Sequence, residues 1–532
     1  MKKYAPWLCA VLSGILLALS FPPADFDGLA WVALAPVLWA IWFSEPWTKR
    51  EPLRVFLLGY IVGLGYFVGS LQWLTTVTVA GWLALAAYLA VYPALWALFV
   101  GLMARVNVEN FGPEGSAWRK SLRNFGTAAL AAAAWTALEW LRGIIFTGFG
   151  WNSLGITLHN NLAIIQICDL TGVAGLSFLL VLVNAMLAIT AKRLQVEIAR
   201  KKVRPHYDLT LAIALVALAF GYGARQLFAP APESETVTVA AVQANVPILE
   251  KRDPAHEDRI LKLHLDMSEK ALALRPDLLV WPEAATPRPL FQDQATWDAV
   301  RKLAEGTSAD FLTGTVYFGP EGDFNSAVML TEHAKKAQLY HKIHLVPFGE
   351  YVPMRHSFPL FAMIVGNLVP DDFDFGRDYT VMKLSTKPVR VGPLICFEDT
   401  LGDLARHFVL RGAQMFVTVT NDGWFLDSVG SLQHLRQALF RCAENKIPMV
   451  RAANTGVTCS IDRFGRVDQM LATEKGKTNF EGFFSVPVQA PKSPKPTFYA
   501  RYGDIFAMLC LMATVAVVGF GFLQPGRRRR KL

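Results

Sequence analysis

Seven apolar segments, each long enough to cross a bilayer as a helix of about 20 residues, fill the first 228 positions of this 532-residue chain, and an eighth lies near its end. They fall near 5–24, 28–44, 54–76, 81–104, 125–146, 163–191, 208–228 and 503–523. Within lipid every backbone polar group needs a partner in its own segment or in a closed barrel. Continuous apolar runs of this length therefore predict helices, and the chain reads as a membrane protein of about eight spans. With 53% of its residues apolar, it is too hydrophobic for an ordinary soluble enzyme.

The net charge of +9 is distributed by topology. Lys and Arg cluster in alternate loops: Lys49, Arg50 and Arg54; Arg105, Arg119, Lys120 and Arg123; Lys192, Arg193, Arg200, Lys201, Lys202 and Arg204; and the GRRRRKL tail. The intervening loops FPPADFDG and TTVTVAG carry none, and only Arg225 runs mildly against the pattern. The positive-inside rule then puts both termini in the cytoplasm and residues 229–502 outside it, which in a Gram-negative cell is the periplasm. Basic residues arranged this way do not form a nucleic-acid face. The opening MKKYAPWLCAVLSGILLALSFPP lacks a small-x-small cleavage site after its apolar core and reads as an uncleaved first span.

From about 233 to 490 the pattern changes. Short runs rich in Val, Ile, Thr and Leu, such as ETVTVAAVQANV, ADFLTGTVYFG and QMFVTVTNDGW, predict strands. HEDRILKLHLDMSEKALAL, QATWDAVRKLAEG, TLGDLARHFVLRG and GSLQHLRQALFRCAENK have helical periodicity. Three regions follow: 1–228 with seven spans, 229–502 as an α/β domain large enough to bury its own core, and 503–532 with the last span and the basic tail. APAPESE and QAPKSPKP read as linkers.

Six cysteines with no C-x-x-C pair and no His/Cys ligand spacing signal neither a disulfide framework nor a zinc site, and nothing implies a cofactor. Cys9, Cys168 and Cys510 lie in apolar segments as small hydrophobes; Cys396, Cys442 and Cys459 remain. Cys396 ends the run VRVGPLIC, at a strand exit, where α/β folds place their sites. Two other exits carry complementary groups: LLVWPEAATP has Glu283, and LYHKIHLVPFGEYVP has Lys342 and Glu350. A thiol attacks as thiolate, so it needs a base and gains from a nearby cation. Glu283 supplies a candidate base, and Lys342 a candidate stabiliser of thiolate and oxyanion. Taken singly, each has an ordinary structural reading: a core thiol, a helix-start acid, an exposed strand lysine, surface carboxylates at Glu350 and Glu398. Cys442, mid-helix, and Cys459, mid-strand, stand away from these motifs.

The ordered set W-P-E, Y-x-K-x-H-L-V-P-F-G-E, I-C-F-E and T-N-D-G-W-F resembles the nitrilase (carbon-nitrogen hydrolase) superfamily, and within its frame of spans the whole chain is similar to the apolipoprotein N-acyltransferase family. The resemblance implies an αββα sandwich with a Glu283–Lys342–Cys396 triad and supporting roles for Glu350, Phe397 and Glu398. It also implies transfer of an acyl chain through a cysteine thioester, from a phospholipid to the N-terminal amine of a diacylated apolipoprotein. The donor implied is phosphatidylethanolamine, and the location the bacterial inner membrane. Three positions depart from the pattern: Arg252 where some members have tryptophan, Phe397 where tyrosine is common, and Leu426 where glycine is common. The same triad would serve a membrane-anchored amidase or nitrilase passing its acyl group to water. A transporter with a periplasmic binding domain is a further alternative, although intramembrane charges are few. Glu139 and Arg142, at i,i+3 spacing in EWLRG, predict a structural ion pair. The long aromatic, apolar loop FGEYVPMRHSFPLFAMIVGNLVPDDFDFG, at 348–376, predicts a lid that dips into the bilayer, with 358–368 at its centre.

Overall fold

The computed structural model describes residues 3–45, 50–112, 115–353, 355 and 371–523; residues 354 and 356–370 of the expected lid lie outside them. The chain forms two compact units, Met1–Phe228 with Asp504–Leu532, and Ala229–Gly503.

The first unit is helical. Among the described residues four helices are long and apolar enough to cross a membrane: Glu51–Ser70, Val79–Leu102, Val173–Arg200 and Tyr207–Leu227. Ala5–Leu19, Asp27–Phe43, Leu162–Thr171 and Ile505–Gly521 are apolar but shorter. The apolar segment at 163–191 is interrupted, because Gly172 takes φ +62° and separates the short 162–171 turns from the Val173–Arg200 helix. Hydropathy is blind to such a break. Ala117–Arg142 extends well before its apolar stretch, since the Ser116 hydroxyl accepts from Arg119 N and starts the helix in the basic loop. Close helix approach depends on small residues: a Cβ on Gly63 would lie 2.6 Å from Ala90 Cα. Glu139 and Arg142 do not pair. Glu139 Oε1 accepts from Leu154 N at 2.8 Å and Arg142 donates to Trp151 O at 2.8 Å, so both side chains hold the turn after their own helix.

The second unit contains two six-stranded sheets. The first has the order β12-β1-β2-β3-β4-β5, built from β1 (Ser234–Gln243), β2 (Leu278–Val280), β3 (Asp310–Gly319), β4 (Gly322–Thr331), β5 (Lys336–His341) and β12 (Gly482–Pro491). The second has the order β11-β10-β9-β8-β7-β6, from β6 (Met382–Lys383), β7 (Arg390–Ile395), β8 (Met415–Thr420), β9 (Met449–Ala453), β10 (Cys459–Ile461) and β11 (Val467–Met470). Each has a parallel centre, β1-β2-β3 in one and β7-β8-β9 in the other, with antiparallel strands outside. Helices Glu257–Leu272 and Gln294–Glu305 bury Leu261, Met267, Val300 and Ala304 against Leu279, Trp281 and Phe311 of the first sheet. Gly402–Leu410 and Gly430–Asn445 flank the second. The sheets are joined directly: Thr458 Oγ1 donates to Gln243 Oε1 at 2.6 Å, and Asn245 N to Asn454 O at 2.8 Å.

The predicted strands and helices of this unit are present, but β6, β11 and β12 are additional. β12 contains Pro487 and Pro491, which argue against a central strand; it is an edge, paired only with β1, where a missing N–H is tolerated. The expected QAPKSPKP linker therefore begins inside a strand.

Candidate active site

Lys342 and Cys396 follow directly on β5 and β7, and Glu283 lies three residues beyond β2. Beyond β2, Trp281 N donates to Leu312 O at 2.8 Å and Gly314 N to Pro282 O at 3.1 Å, so the backbone carrying Glu283 lies flat on β3. That approach needs Gly314: a Cβ there would meet Glu283 Cα at 2.6 Å. Lys342 follows β5 and is held by its own N–H on Asn325 O at 2.8 Å. Cys396 follows β7 at φ +53°, a left-handed conformation unfavourable for a side-chain-bearing residue, which turns the thiol out of the strand direction.

The exposed-lysine reading fails, because Lys342 is 1% exposed. Its Nζ lies 2.9 Å from the Glu350 carboxylate and 3.4 Å from Glu283 Oε1. Burial alone would lower the ammonium, yet Glu350 and Glu283 outweigh it and hold the pKa above the usual lysine range. Asn325, which the sequence did not mark, completes the group: its Nδ2 donates to Glu283 Oε1 at 2.8 Å and to Glu350 Oε1 at 2.7 Å. Glu350 Oε2 also accepts from Val346 N at 2.7 Å. One cation thus sits among two carboxylates, aligned by a shared amide.

The Cys396 side of this group differs from expectation. Burial pushes the thiol well above the ordinary cysteine value, Glu283 pushes it further, and Lys342 and the Thr420 hydroxyl only partly oppose the rise. The resting nucleophile is a thiol, not the thiolate that a nearby lysine suggested. The physical reason is burial first and the Glu283 carboxylate second, which together outweigh the attraction of Lys342.

Glu398 is fully buried and joins the Lys342 loop to the Cys396 loop. Its Oε1 accepts from Tyr340 Oη at 2.8 Å, Ile343 N at 2.7 Å and His344 N at 3.1 Å; its Oε2 accepts from Ile395 N at 2.8 Å. Burial raises its carboxyl to about 7, with these donors and Lys342 limiting the rise. Phe397 stacks on His344 with centroids 5.7 Å apart. His344 is lowered to about 4, by burial and then by Lys342, and is neutral at physiological pH.

Two further groups border the site. Lys251 Nζ donates to Glu283 O at 2.8 Å, and burial lowers it to about 8 despite the charges of Glu283 and Cys396. Its neighbour Arg252 lies over the Trp424 ring at 4.7 Å, which gives that departure from the family pattern a definite contact. Behind Cys396, His434 places Nε2 3.0 Å from Asp399 Oδ1 and Nδ1 2.7 Å from Asp422 Oδ1, with Arg451 beside Asp399. Asp399 and Asp422 overcome burial and raise His434 to about 9. Cys442 and Cys459 are fully buried, whereas Cys396 is partly exposed, so of the three thiols in this unit only Cys396 is open to a substrate. Among the described residues no cluster of three or more His, Cys, Asp or Glu is arranged to hold a metal ion.

The two units match two family descriptions, "Apolipoprotein N-acyltransferase N-terminal domain" over residues 13–186 and "Carbon-nitrogen hydrolase" over 238–479. Relatives extend over nearly the full length. The apolipoprotein N-acyltransferase of Geobacter metallireducens is 35% identical over 97% of this chain and 95% of its own. That of Allorhizobium ampelinum is 31% identical over 96% and 95%, and that of Brucella melitensis 31% over 98% and 96%.

Proposed function

The chain belongs to the apolipoprotein N-acyltransferase family, and from that premise we propose that it carries an acyl chain, as a Cys396 thioester, from phosphatidylethanolamine to the N-terminal amine of a diacylglyceryl-cysteine in an apolipoprotein. Eight spans in the bacterial inner membrane, both termini in the cytoplasm and residues 229–502 on the periplasmic side complete the reading; the loop charges support it. The regions are 1–228, 229–502 and 503–532.

The observation that carries the mechanism is the buried Lys342 between Glu283 and Glu350. As Cys396 sulfur attacks the ester carbonyl, its proton passes to Glu283, which compensates for a thiol whose pKa is raised. Lys342 faces the negative charge developing on the carbonyl oxygen, while Glu350 and Asn325 keep it oriented. The ester C–O bond breaks, the proton goes from Glu283 to the departing oxygen, and a lysophospholipid leaves. The lipoprotein amine then attacks the thioester; Glu283 takes its proton, the C–S bond breaks, and the sulfur is reprotonated. Glu398 fixes the spacing of the lysine and cysteine loops, and Phe397 packs that junction through His344.

The test is mass analysis of a model diacylated lipoprotein incubated with purified protein and phosphatidylethanolamine. One added acyl mass on the N-terminal amine is expected. A free fatty acid with an unchanged lipoprotein would replace transfer by hydrolysis.

A further inference from the structure

A groove of about 790 Å³ opens on the helical unit, lined by none of the residues given a role at Cys396, and nothing in the acyl transfer uses it. Its two ends differ in chemistry. Arg105, Asn107, Asn110 and Arg123 line one end, and Leu130, Phe178, Leu509 and Ala513 line the rest. Arg105 uses Nε to donate to Gly101 O at 2.7 Å, and neither arginine has an ion-pair partner among the described residues. The one described acid of that loop, Glu109, accepts from Asn107 Nδ2 at 3.2 Å.

Along Ala117–Arg142, Arg123 and Ala133 mark the ends of the groove. Ten residues of helix rise about 15 Å, which is half of a hydrocarbon core of about 30 Å. Between them Gly126 leaves open space: a Cβ there meets nothing within 4 Å. An apolar channel one leaflet deep with two unpaired cations at its polar mouth is complementary to one lipid, whose phosphate meets the arginines and whose chain lies along the helices. A peptide or soluble ligand has no counterpart to both ends at once.

We propose that this groove holds one phospholipid of net negative headgroup charge from the leaflet on the arginine side, as a binding site separate from the acyl donor's. The proposal rests on the membrane-spanning reading of the first unit and is independent of the chemistry at Cys396. Each basic residue near a lipid headgroup typically contributes about fivefold in affinity, so the pair favours an anionic over a zwitterionic headgroup by about 25-fold.

The experiment uses the full chain carrying Cys396→Ala, so that bound lipid is not consumed. It is purified in non-ionic detergent, exposed to equimolar phosphatidylglycerol and phosphatidylcholine of matched chains, and read by native mass spectrometry. Retention of one phosphatidylglycerol in preference to phosphatidylcholine is expected, falling to near parity in Arg105→Gln/Arg123→Gln. Gly126→Trp fills the open space, keeps both arginines and should remove that copy, which guards against a double variant that inserts poorly. Equal retention of the two lipids by the parent chain, or an unchanged preference in both variants, overturns the site.

Discussion

Lys342 Nζ stands 2.9 Å from the Glu350 carboxylate, closer than it stands to the proposed base Glu283 at 3.4 Å. In the proposed reaction the lysine is therefore oriented chiefly by an acid that takes no proton. Lys342→Met removes the charge and keeps the apolar stem. Acyl-enzyme formation should fall by about 100- to 1,000-fold, the usual cost of one preorganised oxyanion donor. Because Lys342 opposes the rise in the Cys396 pKa, the thiol should titrate at still higher pH in the variant. Rates of acylation and of Cys396 alkylation against pH measure both effects; if neither changes, Lys342 has no part in the chemistry.

Cys396→Ala should abolish transfer while the protein still inserts, since both alternative thiols in the same unit are fully buried. Wild type with phospholipid alone should gain one acyl mass that neutral hydroxylamine removes. An adduct that survives the substitution moves the nucleophile elsewhere.

The orientation is tested by single cysteines at Ser234 and Ser116. A membrane-impermeant thiol reagent on spheroplasts should label the first and spare the second. The reverse order would place the α/β unit in the cytoplasm.

His434 gives a pH dependence of stability. Its pKa is raised from 6.5 to about 9 because Asp399 and Asp422 face it. A raised cationic group stabilises the fold fully below its unfolded value and loses that contribution as pH rises through the folded one. The melting temperature should thus decline between pH 6.5 and about 9, and His434→Gln should flatten this window. A decline of the same slope in the variant assigns it to other groups.

Much of this site was legible because its chemistry stands at strand exits, where apolar runs stop at a Cys, a Pro-Glu or a Lys. The composition of the Lys342 neighbourhood was not. Whether a strand lysine is exposed depends on what packs over it, and the protonation of Cys396 depends first on its burial and then on Glu283 outweighing Lys342, none of which a linear sequence displays. Among the spans, a hydropathy run does not distinguish continuous helix from the break at Gly172, whose φ of +62° is set by the local turn. Asn325 was hidden for a different reason: beside Asp323 and Phe324 it resembles a strand-start polar residue, and its partner Glu283 is 42 positions away.

That asparagine supplies the most discriminating substitution. Asn325 Nδ2 is shared between Glu283 at 2.8 Å and Glu350 at 2.7 Å, so it aligns base and lysine support with a neutral donor. Asn325→Leu removes both bonds with little change in volume. Asn325→Asp keeps the shape but places a third carboxylate against two others. A hydrogen bond to a charged group contributes roughly 1.5–3 kcal/mol, or about 10- to 150-fold in rate if it is needed in the transition state. Asn325→Leu should lose acylation rate within that range. Asn325→Asp should lose more, because like charges within hydrogen-bond distance repel and attract a proton that Glu283 needs to be free of. Part of the loss in the aspartate variant should be recovered as pH rises, whereas the leucine variant should show no such recovery. Single-turnover acylation of Cys396 across pH measures this, with melting temperature as the control for folding. Equal losses with identical pH profiles would reduce Asn325 to a packing residue.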